Sequence, residues 1–303
     1  MMKTIAFIHQ GNAYLPEIEA YTAFFEQNAW RIKLFRTLPT LKDLEGVQVE
    51  WHFMGFDALP KVKGRIKIHE YLSGSIPPLG IFKDLYKRYW TGPADLRIFQ
   101  SKEQRQKLFF NEHTSHLYRG PGLHNIFFQE VESDKPFDFV YLGTMAKARK
   151  VEKLLHLLQK LMPEQKVLLI GQASEALKNK FKHHSSFHFM GAVAYEQVPF
   201  YLAKAKYAIN WMPDKRPYNF QVSYKLLEYC ASNLPVISTA YDWVKNFEQE
   251  NQAAFYYLNH DFSNLDWEKI KAFSFRMPNL KHLNWDRVLE QSGILEWLSE
   301  FSG

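Results

Sequence analysis

The sequence has almost no cysteine and no long apolar run. Cys230 is the single cysteine among 303 residues, so no internal disulfide can form. No Cys/His cluster has the spacing of a structural zinc site either, and both absences indicate a reducing compartment. No stretch approaches the ~18 apolar residues of a transmembrane helix, and the N-terminal apolar run of about five residues is too short for a signal-peptide core. We therefore expect a cytoplasmic protein, soluble or peripheral on the inner face of a membrane.

Composition and length predict a folded chain with either two domains or one large α/β domain. Hydrophobic residues make up 46% and aromatic residues 16% of the chain, which is typical of packed globular proteins. The length is about twice that of a usual single domain. The net charge is +6, but residues 61 to 107 contain eleven Lys and Arg against four acids, a local balance of +7. Such a segment favours an anionic partner.

The order of apolar patterns predicts an α/β fold with two doubly wound halves. "KTIAFIHQG", "PEIEAYTAFFEQNAW" and "RIKLFRT" read as strand, helix and strand, and the same alternation restarts at "FDFVYLGT". Alternating strands and helices indicate parallel sheets covered on both faces. The polar stretch 129–138 lacks periodicity. We predict an N-terminal domain at 1–132, a second domain at 133–284 and a C-terminal helix at 285–303 that packs back on the first domain, with Asn284 as its N-cap.

The second half has loops that suit an anionic ligand. Ligands of open parallel sheets bind beyond the carboxyl ends of the strands, where helices begin. The loop from Gly143 to Lys150 places cations at a helix N-terminus, where they oppose the macrodipole unless an anion is bound. A solvated helix turn is the competing interpretation. Lys225 and Glu228 stand one helical turn apart in "SYKLLEYCASNLPVIST", and a surface ion pair is the alternative to a ligand contact.

The second half resembles a known family. "FVYLGTMAKARKVEKLL", "KVLLIGQ", "FHFMGAVAYEQVPFYLAKAKYAIN", "SYKLLEYCASNLPVIST" and "LNWDRVLE" follow the order and spacing of the donor-binding domain of GT-B glycosyltransferases, most like the retaining family 4 (group 1) enzymes. This resemblance implies two Rossmann-like domains facing a cleft, with Glu228 on the nucleotide ribose and Lys150 on the diphosphate. The candidate donor-binding residues are Gly143, Thr144, Lys147, Arg149, Lys150, Gly171, Val193, Lys225 and Glu228.

The sequence also departs from the family. Family members commonly have a second Glu eight positions before the ribose-binding one, where this chain has Phe220, and an Arg where it has Thr144. We expect Lys147 to replace the missing Arg and backbone amides around Asn219 and Gln221 to hold the donor sugar. An inactive family member is the alternative.

The first half supplies the acceptor-side candidates. The resemblance places a cleft histidine at the end of the fourth strand, which makes His69 in "KIHEY" the catalytic candidate; a partly buried strand histidine is the alternative. His9 and the loop residues Gly11 and Asn12 are weaker candidates. In "PLGIFKDLYKRYW", aromatic residues alternate with Lys83, Lys87 and Arg88, as in helices that lie on anionic membranes. A core helix with a solvated basic side is the alternative.

The chemistry implied is transfer of a sugar from a UDP or GDP type nucleotide sugar to a glycan or lipid-linked acceptor. No D-x-D occurs in the chain, so we expect no metal and no cofactor, with cations stabilising the departing diphosphate. The resemblance further implies retention of anomeric configuration and a role in bacterial surface polysaccharide or glycolipid synthesis. A sugar-nucleotide epimerase and a non-catalytic binding protein remain as alternatives. Nucleic acid binding ranks last because no known motif appears.

Overall fold

The computed structural model describes residues 2–10, 15–53, 57, 59–72, 80–110, 113–215 and 218–300. The chain divides into two compact units. The first comprises Met1–His124 together with His282–Gly303, and the second comprises Asn125–Lys281.

The first unit is built on a six-stranded sheet in the order β2-β1-β3-β4-β5-β6, and its paired strands all run parallel. Its elements before the second unit are β1 (Lys3–Ile8), α1 (Pro16–Gln27), β2 (Trp30–Phe35), β3 (Val49–Phe53), β4 (Ile66–Tyr71), α2 (Gly80–Trp90), β5 (Leu96–Phe99), α3 (Lys102–Lys107) and β6 (His116–Tyr118).

The second unit repeats this architecture with the sheet order β12-β11-β10-β7-β8-β9, again parallel. Its elements are β7 (Phe137–Leu142), α4 (Val151–Leu161), β8 (Val167–Ile170), α5 (Glu175–Phe181), β9 (Phe187–Gly191), α6 (Val198–Ala203), β10 (Ala205–Asn210), α7 (Tyr224–Ala231), β11 (Val236–Thr239), α8 (Asp242–Glu250), β12 (Tyr256–Leu258) and α9 (Trp267–Ala272), with short 3₁₀ helices at Asn125–Phe128, Lys147–Arg149 and Tyr195–Gln197.

The chain returns to the first unit for its last two helices, α10 (Trp285–Gln291) and α11 (Ile294–Glu300), after a 3₁₀ turn at Lys281–Leu283. Asn284 accepts a hydrogen bond from the Asp286 N–H at 3.0 Å and so caps α10, as predicted. Apolar side chains of both helices join the core beneath β1, β3 and β4: Trp285, Val288, Leu289, Ile294 and Leu298.

The unit boundaries differ from the predicted ones by a few residues. The 3₁₀ helix Asn125–Phe128 contacts α7, and the Phe127 ring packs on Tyr195 at 5.3 Å between ring centres. These contacts place residues 125–132 in the second unit. The prediction of two doubly wound α/β units is confirmed. In each half, strands alternate with helices along the chain and pair in one parallel sheet.

Candidate functional site

One hydrogen bond fixes helix α7 against the carboxyl end of β7. The backbone N–H of Leu142, the last residue of β7, donates to the Tyr229 hydroxyl at 2.7 Å; Tyr229 is buried and Leu142 is half-buried. Gly143 follows directly, so the loop after β7 leaves the sheet beside α7. The Gly143 loop and the Lys225–Glu228 turn, the two sequence features that suit an anionic ligand, therefore belong to one region of the second unit.

A buried polar network fixes the start of the same helix. The Ser223 hydroxyl, just before α7, donates to Asn210 Oδ1 at 3.1 Å. Asn210 ends β10, and its amide donates to Ser238 at 2.9 Å and to Tyr241 at 3.0 Å. Because Ser223 is engaged in this way, it does not cap α7 with its side chain. The network joins β10, β11 and α7 and holds the register of the helix against the sheet.

Lys225 projects from the first turn of α7 into an enclosed polar and aromatic environment. Its Nζ lies 4.2 Å from the centre of the Tyr141 ring and donates to the carbonyl oxygen of Trp211 at 3.2 Å. Burial lowers the pKa of Lys225 well below its ordinary value, and the positive charge of Arg149 lowers it further, while Glu228 opposes the shift. The charged form of Lys225 is therefore unfavourable in the protein alone, and an anion bound beside it would stabilise that form. Tyr141, Arg149, Trp211, Lys225 and Glu228 are called the α7 site below.

Glu228 is the acid of this site. Its side chain is buried, with 6% of the residue exposed, although Glu is seldom buried without a polar role. It occupies the turn after Lys225, and its neighbours Leu227 and Tyr229 are core residues. The alternative interpretation is a surface ion pair between Lys225 and Glu228. Such a pair requires an exposed Glu228, whereas Glu228 is buried.

The three cations of the loop after β7, Lys147, Arg149 and Lys150, lie in different environments. The Arg149 guanidinium stacks on the Tyr218 ring at 4.5 Å and its Nη1 lies 3.0 Å from the Met212 sulfur, so it points to the α7 site. Lys147 and Lys150 are exposed instead. Lys150 adopts a left-handed backbone with φ of 53° at the start of α4. Of the four candidate cations, the structure brings together Arg149 and Lys225.

The glycines after the strands bring two loops close together. Gly171 follows β8 with φ of 131°, and Gly143 follows β7 with φ of 123°. The Met145 N–H donates to the Gln172 carbonyl at 2.8 Å, which joins the loops. Thr144 is exposed and Val193, after β9, is half-buried. The predicted donor-binding roles of Gly143, Thr144, Lys147, Lys150, Gly171 and Val193 stay predictions.

His69 lies in the interior of the first unit, in a buried cluster of charged side chains from β3, β4 and β5. Its exposed fraction is 0%. Burial lowers its pKa to about 4, despite the hydrogen bond with Asp57, which raises it. The ring is therefore neutral near pH 7, so Nε2–H donates to Asp57 at 3.0 Å and Nδ1 accepts from Arg97 at 3.4 Å. Both ring nitrogens have partners inside the protein, which matches the alternative of a buried strand histidine. A catalytic role for His69 stays a prediction.

The neighbouring Glu70 is buried on the opposite face of the strand. Tyr21 donates to it at 2.9 Å, Trp51 at 2.8 Å, and Arg119 forms an ion pair with it. Its surroundings are those of a structural carboxylate that joins α1, β3 and the end of β6. His9 lies at the end of β1 against Arg36. Gly11 and Asn12 fall outside the residues that the structure describes.

Helix α2 presents an aromatic face to solvent. Phe82 is 68% exposed, Tyr89 67% and Trp90 65%, and Tyr86 stacks on Trp90 at 5.4 Å. Positions 82, 86, 89 and 90 share one face of the helix. The alternative of a core helix, in which these rings would be buried, is wrong.

The three cations predicted for this helix have different positions. Arg88 donates to the Phe109 carbonyl at 3.1 Å and holds α2 against the turn after α3. Lys87 is half-buried, and burial lowers its pKa. Lys83 is exposed.

Sequence reasoning missed the aromatic and sulfur groups in and beside the α7 site. Tyr141 and Tyr218 each lie against a cation, and Met212 contacts Arg149. The signal available was the position of Tyr141, one residue before the end of a buried strand. Nothing in the sequence pairs Tyr218 with Arg149, because the contact joins two loops about seventy residues apart.

The described ranges of the chain contain no group of three or more His, Cys, Asp or Glu side chains arranged to hold a metal ion. They also contain no helix with the length and apolar character needed to span a bilayer. The predicted independence from metals and cofactors stays a prediction.

Comparison with known proteins identifies the second unit. Residues 136–264 match the model of the family described as glycosyl transferases group 1. Comparison of the sequence with curated proteins finds no match.

Solved structures resemble the whole chain. AviGT4, a glycosyltransferase involved in avilamycin A biosynthesis, has a TM-score of 0.66 at 10% identity, over 99% of this chain and 98% of that one. Anabaena HepE in complex with UDP and glucose has a TM-score of 0.68 at 12% identity, over 98% and 100%. WaaG, a glycosyltransferase involved in lipopolysaccharide biosynthesis, has a TM-score of 0.62 at 11% identity, over 98% of each chain. At these identities the likeness shows the fold.

The fold is thus that of the GT-B glycosyltransferases, as the resemblance predicted. Residues 136–264, which carry the α7 site, are the part of the chain that matches the group 1 glycosyltransferase model.

Proposed function

We propose that the chain transfers a sugar from a nucleotide-diphosphate sugar to an acceptor hydroxyl. The observation that carries this proposal is the hydrogen bond from Leu142 to Tyr229, which places Lys225 and Glu228 beside the glycine loop after β7. A buried acid and a half-buried cation next to that loop match the two ends of a nucleoside diphosphate, namely the ribose hydroxyls and the phosphates.

The donor would be held by groups of known position. Glu228 accepts hydrogen bonds from the ribose, as the family resemblance implies, while Lys225 and Arg149 face the diphosphate. Arg149 is better placed than the exposed Lys147 to replace the Arg that family members have at position 144. HepE is in complex with UDP-glucose in one of its structures, which favours UDP over GDP as the nucleotide here.

The transferred sugar needs partners other than the missing glutamate at position 220. The side-chain oxygens of Asn219 and Gln221 are buried and have no hydrogen-bond partner among the described residues. Buried acceptors without a partner are rare because they cost free energy, roughly 1–3 kcal/mol each. Both oxygens flank Phe220, and they suit sugar hydroxyl donors once the loop adjusts to the bound sugar.

The chemical step follows from this charge arrangement. The acceptor oxygen forms a bond to the anomeric carbon while the bond from that carbon to the diphosphate oxygen breaks. Lys225 and Arg149 stabilise the negative charge that develops on the diphosphate, so no metal is needed in this scheme. Retention at the anomeric carbon, as in family 4 enzymes, is part of the proposal. The acceptor hydroxyl gives its proton to an oxygen of the departing diphosphate as the new bond forms.

Calorimetric titration of UDP, GDP, ADP and CMP and their common sugars into the protein tests the donor site. We expect one nucleotide to bind, and Glu228→Gln to weaken that nucleotide at least tenfold, which corresponds to about 1.4 kcal/mol. Glu250→Gln, which removes an exposed acid at the end of α8, is the matched control and should bind normally. If no nucleotide binds to the folded protein, the donor assignment is wrong, and a non-catalytic interaction protein becomes the better hypothesis.

We also propose that the enzyme works in the cytoplasm on the inner membrane face, on a lipid-linked or polysaccharide acceptor of a bacterial surface. The exposed rings of α2 support this, because aromatic residues beside cations are typical of helices at anionic lipid interfaces. The +7 balance of residues 61–107 complements such lipids.

Cosedimentation with vesicles tests the membrane surface. We expect binding to phosphatidylglycerol vesicles, little binding to phosphatidylcholine vesicles, and at least a tenfold loss of binding when Tyr89 and Trp90 are both replaced by Ser. The control replaces the exposed Phe200 and Met190 of the second unit by Ser. Equal binding of the α2 variant and the wild type would contradict the assignment of this helix as the membrane surface.

A further inference from the structure

A groove of about 870 Å³ lies on the second unit between α4 and α5. It begins at the 3₁₀ helix Lys147–Arg149 and continues along α4 to Lys160, facing Ser174 to Lys180 across the gap. Its volume is within the range of pockets that hold small organic ligands. We call it the α4–α5 groove. None of the buried groups of the α7 site lines it.

The groove is strongly basic. Five lysines line it: Lys147, Lys150, Lys153, Lys160 and Lys180. The one carboxylate in its wall, Glu152, forms an ion pair with Lys180 and lies 3.8 Å from His156. The lining therefore has a formal charge of +4 with neutral histidine. Among the described residues, Lys147, Lys150 and Lys160 have no ion-pair partner within 4 Å.

Two of these lysines stand where a cation is unfavourable. Lys147 and Lys150 precede α4, an eleven-residue helix whose first turn has no side-chain cap at the N-cap position. The positive end of the helix dipole and the lysines repel one another. An anion in the groove would relieve that repulsion and also the repulsion among the lysines along the helix.

The floor of the groove is apolar. Met145, Val151 and Leu177 are buried, and Leu157 is partly buried beside them. Acceptors suited to sugar hydroxyls are scarce in the lining, since Glu152 is engaged and the Ser174 hydroxyl accepts from the Leu177 N–H. A ligand that fits this wall has several negative charges and a flat apolar part, and does not depend on recognition of many hydroxyls.

We propose that the α4–α5 groove binds a nucleoside polyphosphate at a second site, with its phosphates among the lysines and its base on the apolar floor. Lys147 and Lys150 stand at the mouth of the groove, and the resemblance places Lys150 on the donor diphosphate. A nucleotide in the groove therefore engages Lys150, the one groove lysine that the resemblance gives to the donor diphosphate, and so opposes donor binding. This competition rests on the proposed function; binding to the groove itself does not.

Titration with ATP measures the groove directly. We expect ATP to bind the wild type, tripolyphosphate to bind at least fivefold more weakly because it has no base, and adenosine not to bind at millimolar concentration. The double variant Lys160→Glu/Lys180→Glu should weaken ATP binding at least tenfold. The control Lys245→Glu/Lys269→Glu makes the same change in net charge at exposed lysines outside the groove and should bind ATP as the wild type does.

The donor-site variant separates the two sites. Glu228→Gln should keep ATP binding, and it should lose only the donor nucleotide. Unchanged ATP affinity in the groove variant, or loss of ATP binding in Glu228→Gln, would overturn the second site. Tripolyphosphate binding as tightly as ATP would overturn the assignment of the base. Unfolding midpoints confirm that each variant is folded, and Lys160→Ala replaces the double variant if that one is not.

Discussion

Gly171 faces the Gly143 backbone so closely that a Cβ at position 171 would lie 2.2 Å from the Gly143 carbonyl oxygen. The two residues follow the neighbouring strands β7 and β8, and the contact sets the spacing of the loops beside the α7 site. Because the obstacle is backbone and not a flexible side chain, any substitution at 171 must move one of these loops. Its φ of 131° adds strain for any residue with a Cβ.

We predict that Gly171→Ala lowers the free energy of unfolding by about 3 kcal/mol, from a steric clash together with backbone strain. Urea denaturation of the purified protein measures this. Gly143→Ala is the matched control, because its φ of 123° is similar but a Cβ there would meet no atom within 4 Å. It should lose only the strain contribution, about 1–2 kcal/mol. Equal losses in both variants would show that the clash is relieved at no cost.

A second prediction concerns the cation of α7. Lys225→Met should leave the free energy of unfolding unchanged or raise it slightly, because the replacement removes a half-buried cation whose pKa is lowered by its surroundings. The same variant should lose at least about a hundredfold in transfer rate, the usual scale for losing one stabilising group in a transition state. Denaturation and transfer assays on the same preparation measure the two effects.

Arg97→Met is the comparison for Lys225→Met, since Arg97 is a buried cation that belongs to the charged cluster around His69. It should lose stability because it leaves the His69 ring without its donor. A parallel loss of stability and activity in Lys225→Met would mean that the lysine is structural.

The fold was predictable because it depends on local patterns that recur along the chain. Each half alternates apolar runs with amphipathic helices, and such runs require parallel sheets covered on both faces. The Asn284 cap and the start of α10 followed from a single residue and its position. The network of Ser223, Asn210 and Tyr241 could not be found in this way, because its members are separated in sequence and meet only after the sheet forms.

The surroundings of His69 could not be predicted from the sequence of its own strand. Polar residues at alternate positions of β3 and β4, such as His52 and His69, suggest a strand face that reaches solvent or a ligand. Asp57 and Lys67 neutralise one another on that face at 2.9 Å, and the whole cluster is buried. Sequence alone does not reveal which charges will find partners across neighbouring strands.

This cluster predicts a loss of stability in acid. The pKa of His69 is about 4 in the folded protein and 6.5 ordinarily, so between these values the unfolded chain binds a proton that the folded chain does not. Stability therefore is complete above pH 6.5 and falls as the pH drops towards 4, by on the order of 3 kcal/mol for this one group.

Asp57 extends the loss below pH 4. Burial alone would raise its pKa, but the hydrogen bond from His69 and the charges of His52 and Lys67 outweigh burial and hold the pKa well below 3.8. Its stabilising effect is present above the ordinary pKa and is lost as the pH falls further.

Urea midpoints at pH 7.0, 5.5 and 4.5 measure the contribution of His69. His69→Gln should be less stable than the wild type at pH 7.0, but its stability should change less between pH 7.0 and 4.5. His156→Gln, at an exposed position on α4, is the control and should keep the wild-type slope. If the stability of His69→Gln depends on pH as strongly as that of the wild type, the acid sensitivity belongs to other groups.

The last prediction concerns the place where the chain leaves the first unit and returns to it. Leu123 donates to the Leu283 carbonyl at 2.7 Å and accepts from the Trp285 N–H at 3.2 Å, so the two crossings are paired. A Cβ at Gly122 would lie 2.1 Å from the Trp285 ring, which is itself part of the core and lies 5.0 Å from the Arg119 guanidinium.

Gly122→Ala should displace that ring, lower the free energy of unfolding by about 3 kcal/mol and expose α10 and α11 to proteolysis. Gly120→Ala, two residues earlier and with no atom within 4 Å of the added Cβ, should do neither. Denaturation midpoints and the rate of tryptic cleavage after Arg287 measure the two effects. The rings of Tyr21 and Trp285 are also in contact, with their centres 5.7 Å apart, so displacing Trp285 should disturb the core. Faster cleavage at Arg287 without a loss of stability would contradict the assignment of Trp285 to the core.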